Sequence, residues 1–168
     1  MTLRPQRKPV LDAAEEFVDP LKNYAQREYS DDLERSLAED LPVDVMTTQP
    51  AKTVSTDTTV GDVMRMMVDL NIACVLVTDN DRLVGVFSER DVLLKVADQY
   101  DKVRDCPISL VMTHEPLVAY ADDPVGKALN LMAVAGVRHV PIVDVDGKVV
   151  GIVGPRRVID YLGKHLGQ

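Results

Sequence analysis

Two hydrophobic periodicities alternate along this chain, and the alternation occurs twice. Val60, Val63, Met64 and Met67 follow the i, i+3, i+4, i+7 spacing of a helix that buries one face. Thr59 precedes them with Asp62 three positions on, the pattern of a helix N-cap. Residues 74–78 and 83–88 are β-rich runs around the turn signal Asp79-Asn80-Asp81, which predicts a hairpin. A short strand is predicted at 51–54, and a closing helix from about Glu89 that presents Val92, Leu93 and Val96. Further on, Asp123-Pro124 opens a helix with the face Val125, Ala128, Leu129 and Met132. Residues 142–143 and 149–153 flank an Asp146-Gly147 turn, and Val158, Ile159 and Leu162 mark a last helix.

The two halves also share residues. Met46-Thr47 returns as Met112-Thr113, Val60-Gly61 as Val125-Gly126, and Leu83-Val84-Gly85-Val86 as Val149-Val150-Gly151-Ile152. Met46 and Met112 lie 66 positions apart and Val60 and Val125 lie 65 apart, a loop slip between two copies of one unit. That period is too long for a solenoid. The expected fold is α/β (α+β), with two β-α-β-β-α repeats packed about a pseudo-twofold axis. The expected divisions are an N-terminal extension over 1–41, largely helical from about 21, a first domain over 42–103 and a second over 104–168. Within the extension, Ala25, Tyr29, Leu33 and Leu37 recur every four residues between Pro20 and Pro42, which reads as one amphipathic helix. It belongs to neither repeat, and either closes one end of the fold or serves dimerisation. Residues 99–106 read as a polar linker.

Composition narrows the partners. The 168 residues are 46% hydrophobic without a tryptophan, so the interior is aliphatic. A net charge of −8 argues against general nucleic-acid binding, which needs a cationic footprint. Cys74 and Cys106 are too sparse for a disulfide framework, so a reducing cytoplasm is expected. No apolar run approaches the roughly 20 residues of a membrane span, and the N-terminal stretch lacks the apolar core of a secretory signal.

The doubled Val-Met-Thr segments, Val140-Pro-Ile-Val-Asp144 and Gly85-Val-Phe-Ser-Glu-Arg-Asp91 carry a resemblance. The sequence resembles a tandem pair of CBS domains, the Bateman module, from about residue 42 to 165. That resemblance implies a regulatory rather than catalytic module. Its ligand would be adenosine-containing (AMP, ADP, ATP or S-adenosylmethionine) and bound in a cleft between the halves. It also implies a homodimer, a disc of four units, with a protein effector in trans.

In the family's ribose-binding motif a glycine-led strand ends in Ser or Thr, with Asp three residues later. Gly85, Ser88 and Asp91 match it. A carboxylate can accept hydrogen bonds from both ribose hydroxyls, while Ser88 and free N–H groups at the helix start can serve a phosphate. Ser88-Glu-Arg-Asp91 reads equally as a capping box, the reading that local sequence favours. By the same analogy the site is completed by Val137, Arg138 and His139, whose backbone reads the adenine edge. Arg138 offers a planar fork to phosphate oxygens, although it can instead pair with a surface carboxylate. His139 adds a donor, stronger when protonated, and Thr113 closes one wall.

The second repeat has Gly154-Pro155-Arg156-Arg157 where the first has Ser88 to Asp91. With Arg157 in place of the carboxylate and the uncharged Ile72, Ala73 and Cys74 opposite, the second site is expected to be degenerate. Other chemistry finds no support in the spacing. His114, His139 and His165 with two cysteines form no zinc pattern, Asp146-Gly147-Lys148 lacks the upstream glycine of a phosphate loop, and no nucleophile motif anchors a Ser-His-Asp set. The expectation is therefore no catalytic residue, no metal and no catalytic cofactor. The rival reading is a ligand-free structural module that mediates protein–protein assembly.

Overall fold

The computed structural model describes residues 28–42 and 51–166. The first half contains α1 (Asp32–Glu39), β1 (Thr53–Ser55), α2 (Val60–Asp69), β2 (Cys74–Asp79), β3 (Arg82–Ser88) and the single turn α3 (Glu89–Asp91). After a π-helical turn at Val92–Val96 come α4 (Tyr100–Val103) and β4 (Thr113–His114). The second half contains β5 (Ala119–Tyr120), α5 (Val125–Ala135), β6 (Val140–Val143), β7 (Val149–Val153) and α6 (Pro155–Leu166).

The β-α-β-β-α order holds in both repeats. Each begins with a strand parallel to its neighbour (β1 with β2, β5 with β6) and continues into an antiparallel hairpin. The first hairpin turns through Asn80 and Asp81, both at positive φ (49° and 65°), as a two-residue primed turn requires. The ladder slips between Val77 and Thr78 in one hairpin and between Ile142 and Val143 in the other, which are equivalent places in the repeat. Thr59 caps α2 as predicted, its hydroxyl accepting the Asp62 N–H at 3.2 Å.

Both closing helices depart from the predicted faces. In the first repeat the backbone shifts to i→i+5 bonding, with Ala97 N–H donating to the Val92 carbonyl at 2.8 Å. The wider turn rotates Leu93 out to 74% exposure while Val96 stays buried. In the second, Tyr161 fills the core at 1% exposure and Ile159 faces outward. The predicted polar linker carries α4. The predicted N-terminal helix starts late: Ser30 and Asp31 bond to Glu34 and fix the start at Asp32, so Tyr29 precedes it. The part of that prediction around Ala25 lies outside the described residues.

Each segment that precedes a repeat packs on the other one. Leu33 and Leu37 of α1 lie against the second core of Val125, Ile142 and Tyr161. The Asp40 carbonyl accepts the Val125 N–H at 2.8 Å, and the Tyr161 hydroxyl donates to the Asp40 carboxylate at 3.2 Å. The linker does the same for the first repeat, where the Cys106 and Arg104 carbonyls accept Val60 and Gly61 N–H at 3.0 and 2.8 Å. Ile108, Val111 and Met112 join the first core, and β4 extends the first sheet beside β3. The N-terminal helix, outside both repeats in sequence, thus packs as a closing helix on the second core, and residues 104–114, grouped by sequence with the second domain, pack on the first.

The two sheets meet through Cys74, Leu76 and Val86 on one side and Val149 and Ile152 on the other. The hairpin ends join as well, Leu83 N–H donating to the Gly147 carbonyl at 3.0 Å. This seam sets the end of β3 facing the second repeat.

Gly126 tests the docking of α1. A Cβ there would stand 2.7 Å from the Leu37 backbone carbonyl oxygen, whereas one at Gly163 in α6 would meet nothing within 4 Å. Gly126→Ala is expected to destabilise by about 1–3 kcal/mol through this clash, and Gly163→Ala to stabilise by about 0.5–1 kcal/mol through helix propensity. Urea unfolding of the two variants checks the opposite signs.

Candidate functional site

A cleft of about 380 Å³ opens where the end of β3 and the start of α3 face the segment before β6. Ser88, Asp91 and Thr113 line one side, and Val137, Arg138 and His139 line the other. All six residues expected at the site therefore share one concavity, within the size range of small-molecule pockets. The repeats are brought together here by the seam, since neither half supplies both walls.

Asp91 is the centre of the cleft. It is 6% exposed and is the buried charged residue among those described. Its Oδ2 accepts the Ser88 N–H at 2.9 Å and the Ser88 hydroxyl at 2.7 Å. Its Oδ1 accepts the Thr113 hydroxyl at 2.8 Å and pairs with Lys95 Nζ at 2.7 Å. The predicted capping box is present, so capping and cleft wall coincide in one carboxylate. Burial alone would raise the Asp91 pKa, but hydrogen bonds from Lys95, Ser88 and Thr113 outweigh it and hold the carboxyl below its usual range.

One expectation is corrected here. The helix start was expected to offer Ser88 and free N–H groups to a phosphate. Ser88 gives both its donors to Asp91, and the Glu89 N–H donates to the Ala73 carbonyl at 3.1 Å. The free cations are side chains instead. Arg138 is exposed and has no carboxylate within 4.0 Å among the described residues, contrary to the surface-pairing alternative. His139 is half-buried. Burial lowers its pKa, as does Arg138, against an opposing pull from Glu89, so it is neutral near pH 7. His139 can therefore serve as a donor through one neutral ring N–H, without the strengthening that protonation would add.

The residues expected at a second site are divided. Ala73 lines the Asp91 cleft, because Cys74 sits opposite Ser88 in the β2–β3 ladder. Ile72 and Ala73 also border a separate groove with Met67, Val68 and Leu93. Cys74 is buried in the seam, and burial with the nearby Asp91 pushes its thiol up to about 12. Gly154 lies against the His139 ring, where a Cβ would be 3.1 Å from Cδ2. Arg157 N–H donates to the Gly154 carbonyl at 3.0 Å, and its side chain lines neither cleft. Thr47, the counterpart of Thr113, lies outside the described residues.

Sequence reasoning missed Lys95, Glu89, Arg90, Leu94 and the wall Glu115-Pro116-Leu117. Lys95 was legible as the i+4 partner of Asp91. Glu115 holds φ at 45°, a backbone choice that no composition signal announces. Among the described residues no group of His, Cys, Asp and Glu is arranged to hold a metal, and no helix is long and apolar enough to cross a membrane.

The CBS domain model matches residues 42–98 and again 103–164. The chain belongs to the CBS domain family. Inosine-5'-monophosphate dehydrogenase of Methanocaldococcus jannaschii is 37% identical over 108 residues, 64% of this chain but 21% of that enzyme. The chain thus spans about a fifth of that relative's length. Among solved structures, CBSX2 in complex with AMP is 27% identical with a TM-score of 0.65, covering 76% of this chain and 98% of the other. The CBS domain pair of protein MJ0100, in complex with 5'-methylthioadenosine and S-adenosyl-L-methionine, is 25% identical with a TM-score of 0.65, covering 74% and 96%. The tandem CBS fold read from the repeat is therefore the fold of the chain.

Asp91 gives the acid response a sign. Its carboxyl titrates lower in the folded protein than in the unfolded chain, where the value is about 3.9. Its contribution is present above that value and lost as pH falls through the folded one. Asp91→Asn is expected to cost about 1–3 kcal/mol at pH 7, with the gap to wild type narrowing toward pH 3 in urea titrations. The gentler decline that begins as pH falls below about 6.5, to which His139 contributes because burial depresses its folded pKa, should persist in the variant.

Proposed function

We propose that this CBS pair is a regulatory module that binds an adenosine-containing ligand (AMP, ADP, ATP or S-adenosylmethionine) in the cleft between its repeats. The observation that carries this is the placement of Asp91 in one cavity with Val137, Arg138 and His139 of the other repeat. Asp91 takes the ribose hydroxyls, the backbone before β6 reads the adenine edge, and Arg138 takes a phosphate. Ser88 holds Asp91 in place through Oδ2. CBS pairs of known structure carry AMP or S-adenosyl-L-methionine, which supports an adenosyl ligand here. The Gly154 and Arg157 side, which lacks a carboxylate, is the degenerate site. The ligand acts by favouring one packing of the halves over another, to the extent that it binds the two with different affinity, and the signal passes in trans to a protein effector. The module has no catalytic role of its own. The unpaired thiols of Cys74 and Cys106 suit a reducing cytoplasm.

Exposed apolar residues favour a homodimer. Val68 on α2 and Val134 on α5 are 78% and 79% exposed, and Leu93 and Ile159 are 74% and 68% exposed. The members of each pair lie 66 positions apart, the repeat period, so each repeat offers the same apolar helix face. Two such faces on one molecule suit a self-complementary twofold contact.

Calorimetric titration with AMP, ADP, ATP and S-adenosylmethionine tests the binding reading. The wild type should bind at least one of them, and Asp91→Ala should bind it at least about tenfold more weakly. No binding of any of the four, or equal binding by the variant, overturns it. For assembly, the double variant Val68→Glu/Val134→Glu is expected to halve the mass measured by light scattering.

A further inference from the structure

Asp91 has no room for a sugar as it stands. A carboxylate offers about four acceptor positions, and four donors occupy them here: Ser88 N–H, Ser88 Oγ, Thr113 Oγ1 and Lys95 Nζ. Two ribose hydroxyls cannot be added to this set. Some donors must leave, and the geometry says which. The Ser88 pair sits on Oδ2 and is tied to the backbone of the helix start. Thr113 and Lys95 both sit on Oδ1, and both are side chains that can rotate away. Two hydroxyls need both Oδ1 positions, so the Thr113 hydroxyl turns away and Lys95, the charged donor of the two, leaves.

Displacing Lys95 creates a second demand. Its remaining contacts are the Met112 carbonyl at 3.1 Å and the Thr113 hydroxyl at 3.2 Å, which accept hydrogen bonds but carry no charge. The ammonium would lose its counter-charge in a half-buried setting, at a cost, unless the incoming molecule supplies another anion. A phosphate attached to the same ribose does so. We propose that Lys95 is a transferable cation, paired with Asp91 in this structure and passed to the ligand's phosphate when the ribose takes its place. This rests on the ribose role of Asp91 and deepens it by naming the ligand class, an anionic adenosine nucleotide. Adenosine breaks the Asp91–Lys95 pair without replacing it. S-adenosylmethionine is disfavoured differently: the group on its ribose 5' carbon is a sulfonium, a like charge to the released ammonium, and its carboxylate lies farther out. Arg138, on the opposite wall, is the second phosphate contact. The Lys95 exchange adds coupling between the ribose and phosphate subsites, so their affinities are not additive.

The test uses AMP and adenosine as probes on the whole chain, by calorimetry, in wild type, Lys95→Met and Lys95→Arg. Wild type should prefer AMP over adenosine by about tenfold or more. Lys95→Met keeps the stem and removes the charge. It should bind AMP about tenfold more weakly and adenosine severalfold more tightly, because no ion pair has to break. Lys95→Arg should retain the AMP preference, which separates loss of charge from loss of fold. If Lys95→Met keeps the wild-type ratio of AMP to adenosine affinity, or weakens both ligands equally, the transfer is overturned while the ribose site stands. If wild type binds neither probe and none of the other adenosyl ligands, the ribose reading falls and the transfer with it.

Discussion

A β-sheet of three short strands has two faces, and the helices of one repeat can cover only one of them. The uncovered face here is apolar: Cys74, Leu76 and Val86 in one repeat, Val149 and Ile152 in the other. Neither repeat can leave that face in water, and each supplies what the other needs. Their mutual burial is the constraint on which the rest depends. It fixes the pseudo-twofold axis, and it places the end of β3 against the segment before β6. The crossed packing of α1 and the linker ties the halves further, since each repeat core is completed by a segment from outside it. Separating the repeats would therefore expose two cores as well as the seam.

The carboxylate of Asp91 shows how a local motif takes on a longer-range role. By itself, Ser88-Glu-Arg-Asp91 is a capping box that starts a helix. The tertiary structure then brings Thr113 of β4 and Lys95 of the π-helical turn to the same oxygen. A group that would otherwise be a solvated cap becomes a buried charge with a full set of donors. Unusual backbone often accompanies functional sites, and two such features border this cleft, the π turn at Val92–Val96 and Glu115 at positive φ.

Duplication produced two similar frames that carry unequal chemistry. The same place in the repeat holds Asp91 once and Arg157 once, and the segment opposite holds Arg138-His139 once and Ala73-Cys74 once. The Asp91 carboxylate and the Arg138 guanidinium, on opposite walls of the cleft, come from different copies. Ladder pairing also mixes the two sets: Ala73 lies beside Ser88, and Gly154 beside His139. Ala73 and Gly154, assigned by sequence to the second site, thus also touch the walls of the first. A residue that borders one cleft supports the backbone of the other.

The repeat, the element order, both hairpin turns and the helix faces of α2 and α5 were legible in the sequence, because each follows from local periodicity and turn chemistry. The same holds for the candidates Ser88, Asp91 and Arg138, which stand out by charge and by the difference between the copies. What the sequence could not decide depends on distant partners. Leu93 is exposed because a π turn rotates it away, although its spacing suits a buried face. The N-terminal helix and residues 104–114 pack across the pseudo-twofold axis because uncovered core is available there, which no local pattern records. Lys95 matters only once Asp91 is buried with Thr113 beside it. Periodicity reports which faces are apolar; only the packed chain determines which face meets which, and so which charges are left without water.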